Sequence, residues 1–309
     1  MRTMQSYDVI IIGGGPGGMT AAIYAARARL RTLLIEKLFP GGQLMISDHI
    51  ENYPGFASGI SGPELSAAMH EQAEKFGMET LLAEVESVDF SGVEKIIRTS
   101  EGERRAPTVV IATGATARRL GVPGENELRG RGVSYCATCD GAFFKDKDLA
   151  VVGGGDTAVE DSVFLTRYAR KVTIIHRRDQ FRAAKIIQER ALSNPKIEVR
   201  WNSVVERICG NHDVQAVALR NVVTNEKSEM PVDGVFVLIG ADPDLAYLGG
   251  ALETDENGYI VTDENMAASV PGVFVAGDIR RKSLRQIVTA CADGAIAAWA
   301  AEKYIEALH

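Results

Sequence analysis

The chain has 309 residues, of which 46% are hydrophobic and 24% charged, and its formal net charge is −7. This length suits about two domains, and the composition is that of an ordinary soluble globular protein. The acidic balance argues against a general binder of nucleic acid or of an anionic membrane, because both need basic surfaces, so we expect small molecules or proteins as partners.

The cysteine content and the apolar runs bear on the compartment. Four cysteines in a chain of this length suit a reducing cytoplasm. The first six residues lack the basic region and apolar core of an export signal. No stretch reaches the roughly 18 uninterrupted apolar residues of a membrane span, since the alanine-rich tail is broken by Asp293, Glu302, Lys303 and Glu306. We therefore expect a cytoplasmic protein without a membrane partner.

The amino-terminal segment carries a dinucleotide-binding pattern. A β-branched run, Tyr7–Ile12, predicts a buried strand that leads directly into the GxGxxG motif of residues 13–18. A helix over Met19–Arg29 and a second strand over Arg31–Ile35 follow, and that strand ends at Glu36, 23 residues after Gly13. This order of strand, glycines, helix, strand and acidic residue predicts a Rossmann-like unit.

Each glycine of this motif has a physical role. Gly13 permits the tight turn, Gly15 lets a pyrophosphate approach the backbone, and Gly18 lets the helix pack close to the strand. The Glu36 carboxylate can accept hydrogen bonds from ribose hydroxyls. Two turn-rich segments follow, residues 41–44 and 50–55, which either only turn the chain or approach a bound cofactor.

The first lobe is completed by a helix and a strand. Ser61-Gly62-Pro63-Glu64 opens an amphipathic helix that runs to Phe76 and is stopped by Gly77. The strand of Thr108–Ala112 then leads to Thr113 and Gly114. Residues 115–124 are interpreted as a linker.

The next segment, Cys136-Ala137-Thr138-Cys139-Asp140, holds two thiols three residues apart. On a helical turn this spacing brings the side chains close enough to form and break a disulfide. So small a ring adds only about 2 kcal/mol of stability in the loop-entropy model, so a structural cross-link is a weak explanation. A chance pair and a zinc half-site remain as alternatives, but the other cysteines, Cys209 and Cys291, stand alone, which favours a redox dithiol.

A second copy of the opening pattern follows the cysteines. The strand of Leu149–Val152 leads into a GxGxxA motif, residues 153–158, and a helix over Val159–Tyr168. The strand of Val172–Ile175 ends at His176, again 23 positions after the first glycine, so the copies are offset by 140 residues. This internal duplication predicts a second Rossmann-like lobe.

The two copies differ at the end of the second strand. Where the first has Glu36, the second has His176-Arg177-Arg178, with Arg182 one helical turn beyond. A carboxylate favours an unmodified ribose, whereas an arginine cluster accommodates a 2′-phosphate. A solvated basic patch is the alternative interpretation.

The remaining chain is too short for a third domain. A strand over Gly234–Ile239 closes the second lobe, and Asp242-Pro243-Asp244 is interpreted as a return linker. A further strand ends at Gly277-Asp278, where ligands of open α/β sheets bind, and a long helix is predicted from about Ser283 to Leu308. The predicted fold is α/β with two Rossmann-like lobes, the second inserted into the first, with the first domain over residues 1–116 and 245–309 and the second domain over residues 117–244.

Together these motifs resemble the low-molecular-weight, bacterial-type thioredoxin reductases, and the resemblance covers essentially the whole chain. The residues that carry it are 13–18, 41–44, 51–55, 136–140, 153–158, 176–179, 181–183, Gly277, Asp278, Arg285 and Gln286. Other pyridine nucleotide-disulfide reductases place a CxxxxC pair after the first glycine unit, but residues 38–59 contain no cysteine. Related flavoproteins that reduce ferredoxin lack the CxxC motif. Relatives that receive electrons from ferredoxin lack the second glycine motif. This chain contains both motifs.

The resemblance implies two cofactor sites, with FAD in the domain of residues 1–116 and 245–309 and NADPH in the domain of residues 117–244, which also carries the CxxC motif. The FAD contacts that it implies are Gly13, Gly15, Pro16, Gly18, Glu36, Lys37, Gly41, Gly42, Gln43, Leu44, Asn52, Thr113, Gly114, Gly277, Asp278, Arg285, Gln286 and Ile287. The NADPH contacts that it implies are Gly153, Gly155, Asp156, Thr157, His176, Arg177, Arg178, Arg182 and Gly240. It implies no metal.

The resemblance also implies a mechanism, in which NADPH reduces FAD, FAD reduces the Cys136–Cys139 disulfide, and the dithiol reduces thioredoxin. Cys139 is then the sulfur that meets the flavin, Cys136 the one that attacks the protein substrate, and Asp140 the acid that handles the thiolate proton. Cys139 lies 14 residues before Gly153, so disulfide and nicotinamide site belong to one lobe, and we expect that lobe to rotate so that each reaches the flavin in turn.

Thioredoxin docking and assembly are further expectations. Arg129 and Arg131 could form a charged rim and Phe143-Phe144 an apolar anchor, or these could be a solvated loop and a buried pair. The family implies a homodimer. The alternatives to thioredoxin reduction are reduction of a glutaredoxin-like or peroxiredoxin-system protein and a redox-sensing flavoprotein without rapid turnover.

Overall fold

The computed structural model of the chain describes residues 6–47 and 49–308. These residues form two compact units. One consists of the described residues up to Thr116 together with those from Asp242 onward, and the other is Ala117–Ala241. The second unit therefore interrupts the first in the sequence.

Strands outnumber helices among the described residues of both units. The strands are β1 Val9–Ile12, β2 Thr32–Glu36, β3 Glu79–Leu82, β4 Val85–Asp89, β5 Lys95–Thr99, β6 Gly102–Ala106, β7 Thr108–Ile111, β8 Ala115–Ala117, β9 Val133–Ser134, β10 Asp148–Gly153, β11 Lys171–Ile175, β12 Ile197–Arg200, β13 Ser203–Gly210, β14 Val214–Asn221, β15 Lys227–Pro231, β16 Gly234–Leu238, β17 Ala241–Pro243 and β18 Val273–Val275. The helices are α1 Pro16–Arg27, α2 Gly62–Lys75, α3 Ala137–Asp140, α4 Asp156–Leu165, α5 Lys185–Leu192 and α6 Ile287–Glu306. Short 3-10 turns cover Gly42–Ile46, Gly141–Phe144, Ala246–Leu248 and Gly277–Ile279.

The first unit is built on a parallel sheet in the order β18-β7-β1-β2-β3. Its central strand β1 is buried throughout, with Val9 opposite both Thr32 and Thr108. Side chains from the sheet and from α1 and α6 form a core on one face, and residues of the antiparallel sheet β4-β5-β6 join the core on the other face. Burial on both faces explains the continuous apolar run of β1.

Helices α1 and α6 cross at glycines. A Cβ atom on Gly294 would lie 2.1 Å from the Gly17 carbonyl oxygen. The two backbones are therefore in contact at this point, which only glycine permits. The small side chains of the alanine-rich faces of both helices fill the rest of this interface.

The second unit repeats the arrangement with a parallel sheet in the order β12-β11-β10-β16-β9. Helices α4 and α5 contribute to the core on one face, together with Phe181 and Phe236. The antiparallel sheet β13-β14-β15 contributes valine and leucine side chains on the other face. The predicted α/β class with two Rossmann-like lobes is confirmed.

The elements differ from the predicted ones mainly at their ends. Helix α1 starts at Pro16 and ends at Arg27, because proline suits a first helical turn and Arg29 adopts a φ of +63°. Helix α2 begins after Ser61 with the predicted capping box to Glu64. Helix α6 begins at Ile287, later than predicted, because extended Gln286 caps it. The predicted linkers contain β8 and β17, which pair as a two-stranded sheet.

No helix in the described part of the chain is long and apolar enough to cross a membrane.

Candidate active site and dinucleotide sites

The two cysteines of the CxxC motif form a disulfide at the start of the short helix α3, and their Cα atoms lie 5.3 Å apart. Cys136 is the N-cap residue in an extended conformation, and its Sγ accepts a hydrogen bond from the Cys139 backbone N–H at 3.2 Å. The helical turn therefore fixes the spacing of the two sulfurs. The Thr138 hydroxyl lies 3.4 Å from the Cys136 Sγ.

A serine that the sequence did not single out connects the acid to the first cysteine. The Ser134 Oγ donates to the Asp140 Oδ2 at 2.5 Å and accepts from the Cys136 backbone N–H at 3.1 Å. Burial raises the pKa of Asp140, and the Ser134 hydrogen bond opposes that rise. The pair places a carboxyl group with a raised pKa beside the redox motif. In the sequence, Ser134 is marked only as a small polar residue on the strand before the cysteines.

The residues proposed for partner docking separate into exposed and packed groups. Phe143 is 49% exposed, whereas Phe144 packs edge-on against Phe236 with ring centroids 5.3 Å apart. The Arg129 guanidinium lies over the Tyr135 ring at 5.1 Å, and Arg131 is exposed. The apolar pair is thus one partly buried residue that packs against the core and one half-exposed residue.

The glycine turn of the second unit joins β10 to α4. A Cβ atom on Gly153 would lie 2.4 Å from the Leu238 carbonyl oxygen, whereas one on Gly155 would meet nothing within 4 Å. Gly153 therefore serves close packing, and the space above Gly155 is open. Gly155 is the N-cap residue of α4, so unpaired backbone N–H groups of the first turn point to this space. Thr157 is exposed in the same turn.

His176 lies underneath this turn rather than on the surface. Its Nδ1 is 2.9 Å from the Gly153 carbonyl oxygen and its Nε2 is 3.1 Å from the Gln180 carbonyl oxygen. Its ring also occupies the space that a Cβ on Gly154 would need, 2.2 Å away. Burial lowers the pKa of His176, the hydrogen bonds to the Gly153 and Gln180 carbonyls oppose that change, and Arg178 and Arg177 add to it. The imidazole thus contacts protein backbone at both nitrogens.

The arginine segment is hydrogen-bonded back to the glycine turn at two further points. The Arg182 N–H donates to the Gly154 carbonyl at 2.8 Å, and the Ala184 N–H donates to the Asp156 Oδ1 at 2.7 Å. The side chains of Arg177, Arg178 and Arg182 are exposed. Among the described residues none of the three forms an ion pair with a carboxylate. Three guanidinium groups without a counter-charge beside an open helix N-terminus suit a phosphate ligand.

Gly240, the last of the proposed NADPH contacts, lies in the turn after β16. It has a φ of +109°, and its carbonyl accepts from the Arg118 N–H at 2.9 Å.

The glycine turn of the first unit shows the same division of roles. A Cβ atom on Gly18 would lie 1.9 Å from the Gly13 carbonyl oxygen, and one on Gly15 would meet nothing within 4 Å. Glu36, at the end of β2, accepts hydrogen bonds from the backbone N–H groups of Gly14 at 2.7 Å and Lys37 at 2.8 Å. The Lys37 ammonium pairs with Glu84 at 2.6 Å. The turn and the acidic residue therefore form one assembly.

The other proposed FAD residues of the first unit lie on several segments, of which the one that begins at Gly41 is hydrogen-bonded to this turn. The Gly41 N–H donates to the Gly14 carbonyl at 2.7 Å, and the Asn52 Nδ2 donates to the Gln286 Oε1 at 3.0 Å. The Leu44 side chain is buried in an apolar cluster that Ile287 also contacts. The remaining proposed positions are Pro16 at the start of α1, Gly42 and Gln43 in the turn of 42–46, and Thr113 and Gly114 after β7.

Asp278 is the most unusual of these residues because one of its oxygens is buried without a partner. Its Oδ1 has no hydrogen bond among the described residues. Burial raises the pKa of Asp278, while Lys282 and Arg285 lower it. The Arg285 Nε donates to the Asp278 carbonyl oxygen at 3.4 Å, and its guanidinium lies 4.0 Å from the centre of the Tyr259 ring. A ligand hydroxyl would satisfy the Oδ1 atom.

Sequence reasoning also missed a buried charged cluster. Asp293 pairs with Arg280 at 3.2 Å and with Lys282 at 2.6 Å. In the sequence, Asp293 stands out only as a charge within an alanine-rich run. Its position on the buried face of α6 was the available signal.

Comparison with known proteins places this geometry in a family. Residues 7–294 match the family described as "Pyridine nucleotide-disulphide oxidoreductase". The thioredoxin reductase of Bacillus subtilis (strain 168) is 53% identical over 309 residues, covering 100% of this chain and 98% of its own. That of Peptoclostridium litorale is 52% identical over 308 residues and covers 98% of each chain. The crystal structure of thioredoxin reductase from Streptococcus pyogenes MGAS5005 superposes with a TM-score of 0.93 at 50% identity, over 98% of this chain and 99% of the other.

Proposed function

The chain belongs to the pyridine nucleotide-disulphide oxidoreductase family, and we infer from this premise that it is a thioredoxin-disulfide reductase, an enzyme that moves electrons from a pyridine nucleotide through a flavin to thioredoxin. Relatives more than half identical over nearly the whole chain are named for this activity. The single observation that carries the inference is the Cys136–Cys139 disulfide on one helical turn, in the unit that holds the second glycine motif.

The two sulfurs divide the work of thiol-disulfide exchange. In the reduced enzyme the Cys136 thiolate attacks one sulfur of the thioredoxin disulfide, which forms a mixed disulfide and releases one thioredoxin thiolate. The Cys139 sulfur then displaces the second thioredoxin sulfur from Cys136, so the Cys136–Cys139 disulfide forms again. Two electrons pass to thioredoxin, and each released thiolate takes up a proton.

Asp140 is the proposed proton carrier in this exchange. Only a thiolate attacks, and a free cysteine titrates near pH 8.5, so a neighbouring group must accept and return the proton. An ionised carboxylate close to a thiol would raise the pKa of that thiol rather than activate it. The burial that raises the pKa of Asp140 supports a carrier role, because a group of raised pKa exchanges protons closer to neutral pH.

FAD is the proposed flavin, held by the first unit. It supplies the two-electron chemistry that links a nicotinamide hydride to the disulfide. The open backbone at Gly15, the Glu36 carboxylate at the end of β2 and the unpartnered Asp278 oxygen fit the pyrophosphate, a ribose and a further hydroxyl of such a group. The other proposed contacts are those that the family resemblance implies.

NADPH is the proposed reductant, held by the second unit. The open backbone at Gly155 fits a pyrophosphate. The side chains of Arg177, Arg178 and Arg182, which form no ion pair with the described carboxylates, fit a 2′-phosphate, which NADH lacks. The buried ring of His176 supports the segment that carries the arginines.

A homodimer in the cytoplasm is the proposed state. Val288, Ile296 and Trp299 are 42%, 37% and 52% exposed on one face of α6, and an exposed apolar face of this kind is common at subunit interfaces. Four cysteines, two of them free, suit a reducing compartment. Light scattering should give twice the mass of the chain, and Trp299→Lys should lower it toward one chain; a monomeric wild type would contradict the dimer.

The proposed function is tested with purified protein and several acceptors. We expect a yellow protein that reduces a thioredoxin disulfide at the expense of NADPH. A panel that also contains a glutaredoxin and a peroxiredoxin-system protein identifies the acceptor. Rapid reduction of one enzyme equivalent without further turnover on any acceptor would instead indicate a redox sensor.

A further inference from the structure

Asp293 is a buried carboxylate on α6 that takes part in no step of the proposed chemistry. Its side chain is 9% exposed, and that of its partner Lys282 is 8% exposed. The Asp293 Oδ2 accepts from the Lys282 ammonium at 2.6 Å and from the Gly277 backbone N–H at 3.1 Å. The Asp293 Oδ1 accepts from the Arg280 guanidinium at 3.2 Å. A buried charge with this many donors is held in one place.

The three donors stand on both sides of Asp278 in the sequence. Gly277 directly precedes it, and Arg280 and Lys282 follow it by two and four residues. Gly277 has a φ of +79°, so the chain bends in a left-handed conformation just before Asp278 and turns the Gly277 N–H toward α6. The Asp293 carboxylate therefore fixes the turn that carries Asp278 from either end.

We call the hydrogen bonds that Asp293 accepts from Gly277, Arg280 and Lys282 the clamp. The clamp is rigid at Asp293 because three backbone segments meet beside that residue. The Cβ position of Gly294, next to Asp293, is 2.1 Å from the Gly17 carbonyl oxygen. The Cβ position of Gly17 is in turn 3.5 Å from the Gly277 nitrogen. Helix α1, which begins at the first glycine turn, thus touches both α6 and the turn of Asp278. Asp293 is therefore held beside a point where the backbones of α1, α6 and the Asp278 turn are in contact.

The clamp explains how Asp278 keeps an unsatisfied oxygen. A buried acceptor without a hydrogen bond is unfavourable, so the surrounding structure must hold the Asp278 Oδ1 in its place until a ligand donor arrives. We propose that Asp293 is a positioning residue for the ligand-binding carboxylate Asp278, and that it acts through Gly277, Arg280 and Lys282 to aim that carboxylate at a hydroxyl of the bound dinucleotide. This inference rests on the proposed FAD site.

The test is a double-mutant cycle on FAD affinity. Flavin is removed from the full-length protein, and the Kd for FAD is measured by fluorescence titration for the wild type, Asp293→Asn, Asp278→Ala and the double variant. Glu306→Gln is the matched control, because it makes the same change on the same helix at an exposed ion pair with Lys303. Thermal unfolding of each apoprotein separates loss of affinity from loss of fold.

We expect Asp293→Asn to raise the Kd for FAD at least about tenfold, the effect of one charge-assisted hydrogen bond, and Glu306→Gln to leave it unchanged. If Asp293 acts through Asp278, the double variant binds FAD no more weakly than Asp278→Ala alone. Wild-type affinity in Asp293→Asn, or losses that simply add in the double variant, would overturn the proposal.

Two further measurements keep the outcomes separate. If Asp293→Asn does not fold, Lys282→Met removes one donor and leaves the carboxylate with two, and we expect it to raise the Kd about threefold or more; an unchanged Kd would overturn the proposal. A wild-type protein that binds no FAD would refute the proposed function itself, whereas a wild type that binds FAD beside an unaffected Asp293→Asn would refute only the positioning role.

Discussion

The Ser134 hydroxyl donates a 2.5 Å hydrogen bond to the Asp140 carboxylate, one residue after the CxxC motif. Burial raises the pKa of this carboxyl group, and the hydrogen bond to Ser134 lowers it again. Ser134 also accepts from the Cys136 N–H. Asp140, the proposed proton carrier, and Cys136, the proposed attacking cysteine, thus have the Ser134 hydroxyl as a common hydrogen-bond partner.

Replacement of Ser134 by alanine should move the activity profile to higher pH. Without the hydroxyl, the pKa of Asp140 rises further, because a hydrogen bond that favoured its ionised form is lost. The limb of the pH profile that reports the titration of Asp140 therefore moves to higher pH, whether the ionised or the protonated form is the active one. The measurement is the pH dependence of kcat/KM for thioredoxin. Asp140→Asn should remove that limb and lower the rate; a limb unchanged in both variants would exclude Asp140 as the carrier.

The arginines of the second unit should select the nucleotide. Arg178→Ala removes one of three guanidinium groups that lack a carboxylate partner, so we expect the KM for NADPH to rise roughly tenfold or more, with little change in the KM for NADH. Steady-state kinetics with NADPH and with NADH measure the two KM values. Arg190→Ala, an exposed arginine on α5, is the control. Equal effects on NADPH and NADH would count against a 2′-phosphate site.

The glycines of the first turn should separate ligand binding from stability. Gly15 has φ −73° and ψ −179°, which any residue adopts, and it faces open space. Gly15→Ala should therefore leave the free energy of unfolding nearly unchanged but weaken FAD binding about tenfold or more by blocking the pyrophosphate. Gly18→Ala should instead cost at least about 1–3 kcal/mol of stability, because the new Cβ would collide with the Gly13 carbonyl.

Urea unfolding of the apoproteins and FAD titration measure these two effects. A Gly15→Ala protein that binds FAD as tightly as the wild type would place the pyrophosphate elsewhere.

The two adjacent phenylalanines should respond differently. Phe143 is half exposed, so Phe143→Ala should raise the KM for thioredoxin and leave the unfolding free energy within about 0.5 kcal/mol of the wild type. Phe144 packs on Phe236, so Phe144→Ala should lower that free energy by about 3 kcal/mol. Denaturant unfolding and thioredoxin kinetics on both variants test the assignment. An unaffected KM in Phe143→Ala would remove it from the docking surface.

Much of the fold was predictable because its signals are local. The strand of Val9–Ile12 has a continuous apolar run, Ser61 and Glu64 form a capping box, and the glycine motifs of both units occur at the same spacing. The predicted ends of α1 and α6 were less accurate because Arg29 adopts a left-handed conformation that usually belongs to glycine, and glutamine is an uncommon N-cap residue.

The parts of the site that the sequence did not predict depend on side-chain contacts between different elements of the fold. Lys282 and Asp293 lie 11 residues apart on a loop and a helix, and only the folded chain brings both to Gly277. Ser134 is an ordinary polar residue until α3 turns Asp140 back toward it. In the sequence, the position of His176 at the end of β11 suggests a ligand contact. In the fold, its ring nitrogens face backbone carbonyls instead.

Electrons from NADPH should reach thioredoxin through the Cys136–Cys139 pair. NADPH-dependent reduction of a thioredoxin disulfide by the wild type, Cys136→Ser and Cys139→Ser, with Cys209→Ser as the control, measures this path. We expect steady turnover in the wild type and the control and a loss of at least about a thousandfold in both active-site variants, because neither can form the disulfide. Turnover near the wild-type rate in either active-site variant would show that the electrons take another path.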